Sequence, residues 1–250
     1  MVGRDDALVR QGVAALSAKL RFRDALSAEE EEVLVAAATE TCEVPPNKVM
    51  VRSGTLVETS TLLIDGVVAR YKDLSNGERQ IQELHVRGDF VDLHGFLLKR
   101  LDHNVGTVSH CRFALVPHRN LRQITEDHPH LARMLWFSTM LDAAIHRETI
   151  LSVGRRAALA RIAHLMCELA LRLQVVGLSD GRCFRLPIKQ SDLADATGLT
   201  AVHVNRMLRQ LRDEGLLTFQ RGEAAIHDWD GLARVAEFEP AYLHLERIAR

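Results

Sequence analysis

The sequence predicts an α+β fold: an N-terminal jelly-roll β-barrel, then a long helix, then a C-terminal winged helix-turn-helix. Three observations carry that expectation. Short apolar segments divided by turn residues fill residues 48–116. A helical pattern with no internal glycine runs from Asn120 to Ser152. After Gly154 the order is helix, helix, helix, hairpin, with a short strand ahead of the last two helices.

The 250 residues suit one large or two smaller domains. With 47% hydrophobic and 26% charged residues and no Pro-, Ser- or Gly-dominated stretch, the chain reads as folded and soluble. It holds no apolar run of about 18 residues, and MVGRDDALVRQGV lacks the apolar block of a secretory signal, so no membrane partner and a cytoplasmic location are expected. Cys42, Cys111, Cys167 and Cys183 are scattered too widely for a CxxC metal knuckle or a disulfide framework. No metal site is predicted. No metalloprotease helix, nucleophile elbow or glycine-rich phosphate loop occurs either, so the chain is not expected to be an enzyme. A net charge of −1 excludes bulk electrostatic coating of nucleic acid and leaves room for a local basic face.

The elements follow in order. Residues 1–25 form a loosely amphipathic helix, and Ser27 with Glu30 is a capping-box signature for a second helix through Ala36-Ala37-Ala38. Pro45-Pro46-Asn47 breaks that pattern. The strands that follow are punctuated by Ser53-Gly54, Asp65-Gly66, Ser75-Asn76-Gly77 and Arg87-Gly88-Asp89, and Asp65-Gly66 is expected to close a tight hairpin. Pro129 can occupy a first helical turn. Met134, Leu141 and Ile145 recur at coiled-coil spacing, a candidate dimer seam that Glu148 weakens. Domains are therefore expected at 1–128 (helices and barrel), 129–153 (long dimerisation helix and hinge) and 154–250 (winged domain).

The densest signal is Gln190-SDLADATGLTAVHVNRMLRQLRDEG-Leu216. Two helices crossing over a tight turn need a small residue at the contact, Ala194, and a glycine free to turn left-handed, Gly198. Thr200 is placed to cap the second helix, and Val204, Leu208 and Leu211 give it an inner face. Its outer face suits DNA. Arg206 can donate twice to guanine O6 and N7, Asn205 can pair with adenine, and Thr200 with the helix amides can meet a phosphate. His203 and Arg209 share that face. Between Arg182 and Arg221, seven basic residues stand against four acids. Double-stranded DNA is the expected partner.

These residues, together with LLIDGVVARY…GERQIQELHVRGDFVDLHGFLL, give the chain a resemblance to the Crp/Fnr superfamily of transcription regulators from about Leu26 to Leu245. The resemblance implies a cyclic-nucleotide-binding-like barrel, a long dimerisation helix and a winged DNA-binding domain. It implies a homodimer on a palindromic operator, with RNA polymerase as a further partner. The family's base-reading positions fall on Val202, Asn205 and Arg206; many relatives carry glutamate at the first. Its phosphate-contacting positions fall on Lys189, Gln190, Thr200 and the wing residue Gln220, with Arg221 beside them.

The effector pocket implied by the resemblance falls on Gly88, Asp92, Leu93, His94, Gly95, Asn104 and Val105. Cyclic-AMP-binding relatives have Gly-Glu where this chain has Asp92-Leu93, and an arginine plus a small hydroxyl residue near His103-Asn104-Val105. Leu93 cannot accept from a ribose hydroxyl and Asp92 would repel a phosphate, which argues against cyclic AMP. With no cysteine before Cys42, the N-terminal iron–sulfur sensor of some relatives is not expected. His94, His103, His110 and His118 leave haem open as an alternative, as is a small-molecule or haem sensor acting through a protein partner.

Overall fold

A computed structural model describes residues 3–246. The chain divides into two compact units. The first comprises the described residues of Met1–Arg70, His85–Ala143 and His244–Arg250; the second comprises Tyr71–Leu84 and Ala144–Leu243.

The first unit opens with α1 (Asp6–Leu20) and α2 (Ala28–Ala37). Asp5 caps α1 through Ala7 N and Leu8 N. The capping box of α2 forms as the sequence predicts: Glu30 N donates to Ser27 Oγ at 3.1 Å, and Ser27 N donates to the Glu30 carboxylate at 2.9 Å. The barrel strands are β1 (Glu40–Val44), β2 (Val49–Val51), β3 (Thr59–Asp65), β4 (Val68–Asp73), β5 (Arg79–His85), β6 (Asn104–Thr107) and β7 (Cys111–Pro117), with α3 (Gly95–Leu98) between β5 and β6. They form two sheets, β1-β7-β3 and β2-β6-β4-β5. β3 is buried on both faces: Leu62 and Ile64 belong to one apolar cluster with residues of α1 and α2, while Leu63 joins Val68, Val91, Val105 and Phe113 in a second cluster.

The expected Asp65-Gly66 hairpin does not form. β3 pairs with β7, register Leu62↔Ala114, and β4 lies in the other sheet. Gly66, at φ +99°, turns the chain between sheets, and a Cβ there would stand 2.4 Å from the His110 carbonyl oxygen. An Asp-Gly pair supplies the left-handed turn but does not decide which strands it joins.

The single helix expected from Asn120 is two: α4 (His118–Asp127) and α5 (Pro129–Arg155). Proline disfavours helical backbone in the residue before it, and His128 sits at φ −126°, ψ 76°. Helix α5 runs one residue past Gly154, ending at Arg155, and α6 begins at Ala158. The predicted seam also needs correction. Met134 and Ile145 are 2% and 3% exposed within their own chain and Leu141 is half-buried, so the first two are committed to the monomer's core. Met134 packs in the cluster that holds Leu121, Ile124 and Leu131. The apolar residues that α5 leaves exposed are Trp136, Met140, Ile150 and Leu151.

The second unit holds the C-terminal part of α5, α6 (Ala158–Val175), β8 (Cys183–Arg185), α7 (Gln190–Thr197), α8 (Ala201–Asp213), β9 (Leu217–Gln220), β10 (Glu223–Ile226) and α9 (Trp229–Ala236). Its sheet order is β8-β10-β9. Ile162, Leu169, Leu193, Val204, Leu211, Leu217 and Leu232 are each fully buried and make up its core.

Candidate nucleic-acid interface

The helix-turn-helix forms at the predicted residues. Gly198 ends α7 at φ +64°, ψ +36°, a conformation that costs glycine nothing, and its N–H returns to the Ala194 carbonyl. Ala194 is buried at the contact. Thr200 caps α8, its Oγ1 accepting from His203 N at 3.2 Å. Val204, Met207, Leu208 and Leu211 face inward. The periodicity of α8 therefore turns Val202, Asn205, Arg206 and Arg209 outward, and all four are exposed.

The remaining candidates surround that face. Lys189 is exposed, and its backbone N–H donates to Asp192 Oδ2 at 2.6 Å, fixing the start of α7. Gln190 is half-buried; its Oε1 accepts from Asn205 Nδ2 at 3.3 Å. That bond uses one Asn205 amide hydrogen and leaves the other hydrogen and Oδ1 available, the pair that adenine N7 and N6 require. His203 is half-buried. Gln220 and Arg221 lie at the β9–β10 turn, where Glu223 pairs with Gln220 across a two-residue loop. Arg221 at φ +54° and Gly222 at φ +79° give the doubly left-handed backbone that such loops demand. Arginine is a costly choice there, so the wing tip presents a guanidinium at some expense in backbone energy.

Residues 160–235 match the Crp-like helix-turn-helix domain, and residues 41–128 match the cyclic nucleotide-binding domain. The nitrogen fixation regulation protein FixK of Bradyrhizobium diazoefficiens is 28% identical over 172 residues, covering 66% of this chain and 69% of its own. The transcriptional activator protein FnrL of Cereibacter sphaeroides is 29% identical over 174 residues, covering 67% and 68% respectively. FixK2 from Bradyrhizobium japonicum has a solved structure similar to this fold, with a TM-score of 0.72 at 25% identity, covering 79% of this chain and 96% of that one. The chain belongs to the Crp/Fnr family. It is a DNA-binding transcription regulator of that type, and not an enzyme.

In the regulator's barrel, the residues predicted to form an effector pocket are largely engaged already. Asp92 is 1% exposed and accepts from Thr61 N at 2.6 Å and Thr61 Oγ1 at 3.1 Å. Burial pushes its carboxyl up to about 6, against the lowering effect of these bonds and of Arg70. Arg70, itself buried, donates to the Val91 carbonyl at 2.7 Å and to Asp142 of α5 at 2.9 Å. His94 is held down to about 3 by burial first, then by Arg70, His103 and His85. Leu93, Gly95 and Val105 are buried, and Asn104 Oδ1 accepts from Ser53 N at 2.9 Å. Gly88 serves packing instead: a Cβ there would stand 2.7 Å from the Ala15 backbone. Of the four histidines considered for haem, His94 and His103 stand side by side, while His118 and His110 each have another partner. The His94 and His103 rings are 5.0 Å apart, His118 bonds Ser60 Oγ at 3.2 Å, and exposed His110 lies 3.7 Å from Glu43.

Sequence reading missed a polar group inside the second unit. Arg172 meets Glu168 at 2.9 Å and Glu83 at 3.5 Å, and Tyr242 donates to Glu168 at 2.8 Å. Burial pushes the Glu168 carboxyl up, with Arg172 opposing. Gln80 Nε2 donates to the Asp195 and Ala196 carbonyls at 2.9 and 3.4 Å, satisfying the C-terminal end of α7. A Glu–Arg pair one turn apart on the apolar helix α6 was the one local hint; the partners Glu83 and Gln80 are about a hundred residues distant in sequence and leave none.

Proposed function

We propose that two copies of the chain bind a two-fold symmetric operator, each placing α8 in the major groove of one half-site, about 34 Å from the other. The observation that carries this is the outward face of α8, where Arg206 and Asn205 are exposed above a fully buried apolar inner face. Lys189, Thr200, Arg209, Gln220 and Arg221 contribute phosphate contacts around it. The second copy docks along α5. Trp136, Met140 and Ile150, which are 66%, 50% and 72% exposed, return to one side of the helix at about 100° per residue. Two such stripes facing each other bury the large apolar groups that a lone chain exposes. Ala143 and Arg147 fall between them on that side.

The reading puts the regulator in the cytoplasm with RNA polymerase as its second protein partner. It gives no role to cyclic AMP: the buried Asp92 carboxylate and the apolar Leu93 occupy positions where a phosphate and a ribose would need a cation and an acceptor.

A gel-shift titration on upstream DNA fragments tests the whole. Binding should weaken steeply with salt as counterions are released. Arg206→Ala should cost about 1–3 kcal/mol and relax one operator position. Binding by that variant as tight as wild type would refute the assignment of α8. Sedimentation of Ile150→Glu should show a monomer with weakened operator affinity; an intact dimer would move the interface elsewhere.

A further inference from the structure

Val202 is the most exposed large apolar side chain among the described residues, at 82%. It stands at the second position of α8, just after the Thr200 cap. Exposed valines are common, and this one alone would mean little. Its company decides the matter. Asn205 and Arg206 follow three and four residues later and Arg209 seven later, so all four side chains share one strip of the helix. Asn205 and Arg206 are hydrogen-bonding readers of purine edges. Val202 cannot donate or accept, yet it sits in the same strip and enters the groove with them.

Only one feature of the major-groove floor suits such a side chain. Adenine, guanine and cytosine present acceptors or amino donors that a valine would strip of water without replacement, which is unfavourable. Thymine presents a C5-methyl group. We propose that Val202 reads the methyl of one thymine in each half-site, making it a specificity-determining residue. This rests on the assignment of α8 as the reading helix. Since Val202 lies about 6 Å along the helix axis from Arg206, the thymine lies within about two base pairs of the guanine that Arg206 reads.

The test uses the full chain and duplexes selected by it from a randomised pool. Each thymine of the selected half-site is replaced in turn by uracil, which removes the methyl group and nothing else. At one position per half-site, uracil should weaken wild-type binding about fourfold, and both half-sites together about fifteenfold. Val202→Ala, which disturbs no buried contact, should bind the thymine and uracil duplexes within about twofold of each other at that position. Val202→Glu should shift the selected base there towards cytosine, whose amino group a carboxylate accepts. Indifference of the wild type to uracil at every position, with tight binding retained, overturns the proposal and leaves α8 as the reader. If no duplex is selected at all, the reading of α8 fails with it.

Discussion

Asp92 and His94 are two residues apart in the barrel, and burial moves their proton affinities so that their effects on stability run in opposite directions. In the fold Asp92 rises from its usual 3.8 to about 6. Its contribution is therefore fully present below 3.8 and lost as the pH rises through about 6. That displacement corresponds to about 3 kcal/mol. His94 falls from 6.5 to about 3, so its contribution is present above 6.5 and lost as the pH falls towards 3. Its full value would be near 5 kcal/mol, reduced to about 3 kcal/mol because part of the ring meets solvent. In the wild type the two slopes nearly cancel from about pH 6 to about pH 4. Substitution separates them. Asp92→Asn keeps an acceptor for Thr61 N; relative to wild type it should lose about 2 kcal/mol as the pH falls from about 7 to about 4. His94→Gln should gain a similar amount relative to wild type over the same range. Urea unfolding of the barrel, followed by hydrogen exchange at amides such as Thr61, measures both differences. A curve for Asp92→Asn parallel to the wild type would show that Asp92 takes up no proton in the fold, and the burial argument would be wrong.

Other substitutions probe the reading domain. Arg221→Gly relieves a left-handed arginine at the wing turn and should stabilise the domain by about 1 kcal/mol while weakening DNA binding and lowering its salt slope by about one, read by thermal melting and gel shift. Leu211→Ala, at a fully buried position beneath α8, should cost about 2–5 kcal/mol in urea unfolding. Thr200→Ala removes the cap of α8 and should cost about 1 kcal/mol in the same assay, with weaker operator binding. Gln80→Ala leaves two α7 carbonyls without their side-chain donor and should speed amide exchange in the helix-turn-helix more than in α9; equal exchange in both would deny Gln80 that role.

The candidate DNA-reading surface was legible in the sequence because its rules are local. The Thr200 cap, the left-handed Gly198 and the inner face of Val204, Leu208 and Leu211 act within a dozen residues, so they fix which side of α8 faces out wherever the domain goes. The capping box at Ser27 and the strand-rich barrel were readable for the same reason.

What only the tertiary structure decided was long-range pairing. The Asp65-Gly66 turn specified a bend, but the partner of β3 is β7, some fifty residues on. Helical spacing proposed Met134 and Ile145 as a seam, whereas contacts within the same chain bury both and leave Trp136, Met140 and Ile150 outside. Asp92 looked like an anion-repelling pocket residue, and in the fold its carboxyl is bonded to Thr61 and withdrawn from water. Periodicity reports that a side chain must be buried; which neighbours bury it depends on elements that meet only once the chain has folded.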